Sequence, residues 1–183
     1  MIKKLYPLLV LMGCFSVTGA QKLQTPSEFL GYQLGTRFTY HYRLLEYLQY
    51  VEPASQNVKL QLYGATTEGR TLMVAFIGSP EHISRLEAVR KYNRSLTGLD
   101  KSPPIADPPV VVWLSYNVHG NEPASAEAAM QTLYDVVNPA NTHISTWLKN
   151  TLVVIDPCLN PDGRERYINY YNQVSGAVPD NNP

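Results

Sequence analysis

The sequence has few cysteines and no excess of charge of either sign. Lys and Arg number 15, Asp and Glu also number 15, and no basic run extends beyond Lys3 and Lys4. A nucleic-acid-binding protein needs a basic patch for the phosphate backbone, so this balance argues against a nucleic-acid partner. Hydrophobic residues make up 44% of the 183 positions, which is enough for one globular unit with its own core.

Long hydrophobic runs are missing as well. The apolar stretch Leu5 to Met12 is too short to span a bilayer, so we predict no membrane span. A positive start, this short apolar stretch and the small-residue ending Thr18-Gly19-Ala20 are typical of a signal peptide. A second interpretation is lipid modification of Cys14, which would anchor the exported chain. We therefore predict a signal peptide over 1–20, a lead-in over 21–37, and a chain that is secreted or periplasmic.

Only two cysteines are present, and Cys14 belongs to the predicted leader. The mature chain then has Cys158 alone and forms no internal disulfide, so its stability has to come from packing or a metal. Cys158 follows an apolar run with no His or basic residue just before it. We expect a small buried residue rather than a nucleophile.

Helix and strand signals alternate after the leader. The predicted elements are a helix over 39–51 closed by Pro53, a hairpin of strands over 58–62 and 72–77, a helix over 80–97, a loop with four prolines over 101–109, a strand over 110–114, helices over 123–137 and 142–150, and a strand over 152–155. The last two strands are continuous apolar runs, typical of strands covered on both faces. Because helices separate them, we expect parallel neighbours. The sequence thus predicts the α/β class, with a mixed β-sheet flanked by helices.

Chemistry in such folds gathers where buried strands end. His119 and Glu122 directly follow the strand over 110–114, and imidazole and carboxylate groups are both good zinc ligands. Gly120 lets the backbone bend between them. The residues alone leave a second interpretation open, in which Glu122 stabilises the N-terminus of the following helix and His119 bonds the adjoining loop.

The remaining candidates have ordinary structural explanations. His41, His82 and His143 have no second ligand at a suitable spacing after a strand end, so we expect them to pack or bond locally. The segment 160–163, Asn-Pro-Asp-Gly, is explained by turn chemistry alone.

Three motifs in this order resemble the N-terminal half of the zinc carboxypeptidase family (peptidase family M14). They are Tyr63-Gly64-x-Thr66-x-Glu68-Gly69-Arg70, His119-Gly120-Asn121-Glu122 and Asn160-Pro161-Asp162-Gly163. The resemblance implies that 38–183 is the N-terminal portion of a catalytic domain, truncated, whose fold is a mixed sheet between helices.

The resemblance also implies a function and its site. His119 and Glu122 match two ligands of one Zn²⁺, and the substrate is a peptide or protein. The third ligand of the family, a His, and its general-base Glu come from later strands, and no residue here matches them. Arg164 and Arg166 do not match the family's paired Asn-Arg motif. We therefore assign no catalytic residue and expect a metallocarboxypeptidase fragment that is inactive by itself.

Two alternatives share this scaffold. One is a zinc amidohydrolase of the succinylglutamate desuccinylase or aspartoacylase kind, which resembles the same fold and also has His-Gly-Asn-Glu. The other is a secreted binding module without catalysis. The Glu-Gly-Arg and Asn-Pro-Asp-Gly motifs favour the peptidase.

Overall fold

The computed structural model describes residues 23–176, in which helices pack around a four-stranded sheet. In chain order the elements are α1 (Pro26–Leu30), α2 (His41–Ala54), β1 (Val58–Ala65), β2 (Thr71–Ile77), α3 (Pro80–Ser84), α4 (Leu86–Leu96), β3 (Val110–Ser115), α5 (Ala124–Val137), α6 (Thr142–Trp147), β4 (Thr151–Asp156) and α7 (Pro161–Val174). The predicted leader over 1–20, with Cys14, lies outside the described residues. Within 23–176 no helix has both the length and the apolar character needed to cross a bilayer.

The sheet is mixed, as the sequence predicts. Its strand order is β1-β2-β4-β3. The predicted hairpin is confirmed, since β1 and β2 are antiparallel with Val58 opposite Ile77, and β2 is also antiparallel to β4. β3 and β4 are parallel, with α5 and α6 in the connection between them. The α/β class with a mixed sheet flanked by helices is therefore confirmed.

The core lies between the sheet and the pair α2 and α5. In α2 the residues Leu44, Leu48 and Val51 are spaced by three or four positions, so they share one face, and all three are buried. Met130 and Leu133 of α5 belong to the same hydrophobic cluster. Full burial of such a side chain contributes about 1.5–3 kcal/mol. This cluster fixes the two helices against the strands that carry the site.

Three predicted helices differ from the structure at their ends or within them. The helix predicted over 142–150 ends at Trp147. The helix predicted to close at Pro53 includes that residue and ends at Ala54. A proline in the last turn removes only one backbone hydrogen bond, and its fixed φ suits a helix. The single helix predicted over 80–97 is two helices, α3 and α4, that meet at Arg85, where φ is −117° and ψ is 25°.

Arg85 shows why the helix predicted over 80–97 is broken into α3 and α4. Its guanidinium donates hydrogen bonds to the carbonyls of Ala106 (2.8 Å) and Asp107 (2.9 Å) in the proline-rich loop. The loop thereby fixes the non-helical residue. In α4, Val89 is buried, whereas Leu96 at the end of the same helix is 65% exposed.

The predicted burial of β3 on both faces is wrong for the described residues. Val110 is 66% exposed and Trp113 is 63% exposed, whereas Leu152 and Ile155 of β4 are buried. β3 is the edge of the sheet and pairs only with β4 among residues 23–176. Its apolar sequence therefore has no partner on the outer side within that range.

Residues that precede the predicted domain start at 38 are also packed. Thr25 caps α1 through a capping box with Glu28, since each residue's backbone N–H donates to the other's side chain. The ring of Phe29 lies 5.2 Å from that of Tyr47 in α2, in an edge-on arrangement. The segment 23–37 is thus attached to the helix that follows it.

Candidate functional site

The carboxyl ends of β3 and β4 lie side by side, as expected for parallel neighbours. Ser115, which ends β3, is opposite Asp156, which ends β4. The two chains stay together beyond the strands, because the Asn160 N–H donates to the Asn117 carbonyl (3.1 Å). Both segments that the sequence marks as candidates therefore form one surface.

His119 and Glu122 lie on the turn that joins β3 to α5. The Glu122 N–H donates to the His119 carbonyl at 3.1 Å, and both residues are exposed to solvent. Neither side chain has a hydrogen-bond or ion-pair partner among residues 23–176. The alternative interpretation, in which His119 bonds the adjoining loop, is thus not seen. The imidazole of His119 and the carboxylate of Glu122 are both accessible to a metal ion.

The other histidines lie on different elements. His41 starts α2 and its Nε2 is 2.8 Å from the Thr71 carbonyl; burial lowers its pKa. His82 is buried in α3 and His143 lies in α6. In the part of the chain that the structure describes, no group of three His, Cys, Asp or Glu side chains has the geometry to hold a metal.

Asn117 is a site residue that the sequence analysis missed. It is 2% exposed and has a φ of +52°, in the left-handed region. Its side-chain Nδ2 donates to the carbonyls of both His119 (2.7 Å) and Glu122 (3.2 Å). One buried amide thus joins the backbone of the two candidate ligands. Asn at a strand end, just before a loop, is the available signal, because Asn tolerates positive φ better than most residues.

The segment 160–163 starts a helix rather than forming an isolated turn. Asn160 caps α7, and its Oδ1 accepts a hydrogen bond from the Gly163 N–H at 3.0 Å. Its Nδ2 donates to the Val118 carbonyl at 3.2 Å. Pro161 occupies the first helical turn, where a missing N–H is tolerated. The cap therefore connects the start of α7 to the turn that carries His119.

The hairpin between β1 and β2 binds the same helix start through Asp162. Oδ1 of Asp162 accepts hydrogen bonds from Thr66 Oγ1 (2.7 Å) and Arg70 Nη1 (2.6 Å), and its Oδ2 accepts one from the Glu68 N–H (3.2 Å). Desolvation pushes the pKa of Asp162 upward, but these hydrogen bonds outweigh it and the pKa lies below its usual value. Arg166 pairs with Glu68. The 160–163 motif therefore contacts both the 63–70 motif and the turn that carries His119.

Arg164, also unassigned from the sequence, is completely buried beneath this surface. It donates to the carbonyls of Thr39 (2.6 Å) and Pro123, and to the buried carboxylate of Glu127 (2.8 Å). Glu127 in turn accepts a hydrogen bond from the Thr39 N–H at 2.6 Å. An arginine in a polar helix normally predicts exposure, so only the tertiary contacts reveal this role.

Two ionisable groups at the end of β4 are buried. Asp156 is 1% exposed; its Oδ2 accepts a hydrogen bond from the Tyr63 hydroxyl (2.7 Å), and its Oδ1 has no hydrogen-bond partner among residues 23–176. Burial raises the pKa of Asp156. Burial also raises the pKa of Cys158 to about 12. The prediction that Cys158 is a small buried residue is thus confirmed, and its thiol stays protonated.

Comparison with known proteins agrees with this arrangement. The family model described as zinc carboxypeptidase matches residues 44–177. Similar solved structures include carboxypeptidase A from Helicoverpa armigera (20% identity, TM-score 0.52, covering 71% of this chain and 28% of that chain) and thrombin activatable fibrinolysis inhibitor (13% identity, TM-score 0.53, covering 78% and 32%).

At these identities the two structures show a shared fold. The chain spans 28% and 32% of their lengths. A search of curated proteins gave no match. The family match covers well over half of the sequence and includes all three motifs and both candidate ligands. The chain therefore belongs to the zinc carboxypeptidase family.

Proposed function

We propose that the chain is the N-terminal part of the catalytic domain of a zinc-dependent metallocarboxypeptidase, with His119 and Glu122 as two ligands of its zinc. The observation that carries the proposal is a pair of accessible ligand side chains on one turn at the carboxyl end of a parallel strand, neither of which has a side-chain partner among residues 23–176. The proposed domain covers 38–183, and the substrate is a peptide or protein.

The residues present fit part of a zinc site. Imidazole nitrogen and carboxylate oxygen are both common zinc ligands, and a catalytic zinc usually has three protein ligands and one open position. The turn supplies two possible metal ligands, and no third ligand accompanies them in the described part of the chain. The proposal therefore assigns the third ligand and the general-base carboxylate to a longer protein.

The chain's own contribution to catalysis is to hold the zinc and to orient its two ligands. A bound zinc polarises the scissile carbonyl and lowers the pKa of its water. His119 and Glu122 would hold the zinc, and their backbone is fixed by the hydrogen bond between them and by the Asn117 amide. Both side chains face solvent, so a peptide reaches them without a rearrangement of the core. We expect no peptidase activity from the 183-residue chain alone.

Zinc titration of the 183-residue chain tests the site. The ring nitrogens of His119, followed by ¹H–¹⁵N correlation spectra, should shift with zinc in a saturable way. His119→Ala or Glu122→Ala should abolish the response, whereas the matched change His143→Ala should not. An unchanged response in the Glu122→Ala variant would refute the shared site. For the complete protein we expect one zinc per chain by elemental analysis.

Export belongs to the proposal and has its own test. If the leader over 1–20 is a signal peptide, the mature protein begins at Gln21, and mass spectrometry of the exported product should show that N-terminus. A lipidated product that begins at Cys14 would instead support the anchor. A product found inside the cell with Met1 intact would contradict both.

A further inference from the structure

The backbone of Asn117 is in a conformation that favours glycine. Its φ of +52° is uncommon for a residue with a side chain, although Asn is among those that tolerate it best. Such conformations persist where surrounding contacts hold them, and they cluster at functional sites. Asn117 lies two residues before His119, so the left-handed residue sets the direction in which the chain enters the turn.

Every polar atom of Asn117 has a partner. Its N–H donates to Ser125 Oγ (2.8 Å), and its carbonyl accepts from the Asn160 N–H (3.1 Å). Its Oδ1 accepts from Arg164 Nη1 (3.4 Å) and from the Cys158 thiol (3.3 Å). The side chain is thus anchored to the start of α7 and to the segment after β4.

These contacts allow only one orientation of the amide. Oδ1 faces a guanidinium and a thiol that stays protonated, and both are donors. Nδ2 faces the carbonyls of His119 and Glu122, which are both acceptors. A flipped amide would put donor against donor on one side and acceptor against acceptor on the other. The amide is therefore a fixed double donor to the two candidate ligands.

We infer that Asn117 is a positioning residue for zinc: it acts through the carbonyls of His119 and Glu122 to hold both side chains at the spacing that one ion requires. This inference rests on the proposed function. Partners that orient metal ligands typically account for 10-fold to 100-fold in metal affinity. The amide meets that description, because it contacts both ligand residues and leaves their side chains free.

Asn117→Gly is the most direct test. Glycine adopts the left-handed conformation without strain, so this variant keeps the backbone conformation at position 117 and removes the side-chain amide. In the full 183-residue chain we expect the zinc dissociation constant, measured at the His119 ring, to rise by about 10-fold or more. Asn117→Asp keeps the shape but turns the donor toward His119 and Glu122 into an acceptor, and it should weaken zinc binding further.

Ser125→Ala is the matched control. It removes the partner of the Asn117 N–H and leaves the amide contacts in place. We expect it to lower the urea midpoint through the loss of that hydrogen bond, while zinc affinity stays within about 2-fold of the wild type. This difference separates positioning of the ligands from general stability.

The outcomes distinguish the inference from the proposed function. Wild-type zinc affinity in Asn117→Gly, or equal losses of affinity in Asn117→Gly and Ser125→Ala, would overturn the inference alone, provided that His119→Ala still abolishes binding. If His119→Ala and Glu122→Ala bind zinc as the wild type does, the site itself is wrong and the role of Asn117 falls with it.

Discussion

Gly120 and Gly163 meet backbone to backbone, which joins the turn of the candidate ligands to the first turn of α7. A Cβ added at Gly120 would lie 2.1 Å from the Gly163 carbonyl carbon and 2.5 Å from its Cα. Only a residue without a side chain fits this contact. This close approach explains the glycine at 120, whereas a Cβ added at Gly163 would instead lie 2.7 Å from Nδ2 of the capping residue Asn160.

The first prediction concerns Gly120→Ala. Because the added methyl group meets backbone and not a flexible side chain, the turn has to move away from α7, and we expect a loss of about 3 kcal/mol or more in unfolding free energy. Zinc binding at His119 should weaken in parallel. Urea unfolding measures the first effect. Gly176→Ala is the control, because nothing lies within 4 Å of its added Cβ; equal midpoints for the two variants would contradict the contact.

The second prediction concerns the buried ion pair between Arg164 and Glu127. Arg164→Met leaves the Glu127 carboxylate buried without its counter-ion, and breaking such a pair typically reduces stability by about 3–5 kcal/mol. The double change with Glu127→Met should recover much of this loss. Arg90→Met, which breaks an exposed pair with Glu87, should have little effect. A double variant less stable than Arg164→Met alone would contradict this account.

The third prediction follows from the raised pKa of Asp156. Burial favours its protonated form, so its contribution to stability is present below the ordinary pKa of about 3.9 and is lost as the pH rises through the folded-state pKa. Asp156→Asn cannot ionise. Its stability relative to the wild type should therefore increase from about pH 4 toward neutral pH, as measured by urea midpoints across that range. A difference independent of pH would contradict the shift.

The fourth prediction is the opposite pH dependence for Asp162. Its folded pKa is lowered, because hydrogen bonds from Thr66 and Arg70 outweigh desolvation. The stability that it contributes is present above the ordinary pKa and is lost as the pH falls through the folded-state value. Asp162→Asn should be less stable than the wild type at neutral pH, with the gap closing in acid. A gap that widens in acid would show that the carboxylate is not the favoured form.

The fifth prediction concerns the exposed edge of the sheet. β3 presents an apolar strand with no outer partner among residues 23–176, and such edges pair with other chains. We expect the 183-residue chain to self-associate with concentration, and Trp113→Lys to reduce this in light scattering after size exclusion. Leu96→Lys replaces an equally exposed side chain on α4 and should leave self-association unchanged. Equal effects of the two changes would argue against edge pairing.

Local pattern predicted much of the fold, because the signals were strong and the partners close. Alternation in β1, followed by a turn and a second strand signal, specified a hairpin, and the helical spacing of Leu44 and Leu48 specified the buried face of α2. The break at Arg85 was not predictable in this way, since it depends on carbonyls about twenty positions later. The prediction that β3 is buried failed for a related reason. An apolar run shows that a strand favours burial against other elements, but it does not show that those elements lie within the described residues.

The candidate site also contains some residues that local sequence indicates and others that only distant contacts reveal. His119 and Glu122 could be proposed from the sequence because their order and position after a strand are local features. Arg164 was missed, because nothing near it in the sequence indicates a buried partner. Asn117 was missed although its residue type is suited to positive φ, since its importance comes from contacts with α7 and with the turn together.

The contact between Thr39 and Arg164 spans 125 positions of the chain. A ribosome that adds about 5–20 residues per second takes roughly 6 to 25 s to travel from one to the other. Through that interval the entrance to α2 lacks its guanidinium partner, and Glu127 has no counter-ion once it emerges. The buried polar cluster of Thr39, Glu127 and Arg164 therefore forms only after the start of α7 has been synthesised, which gives chaperones a window of many seconds in which to bind the chain.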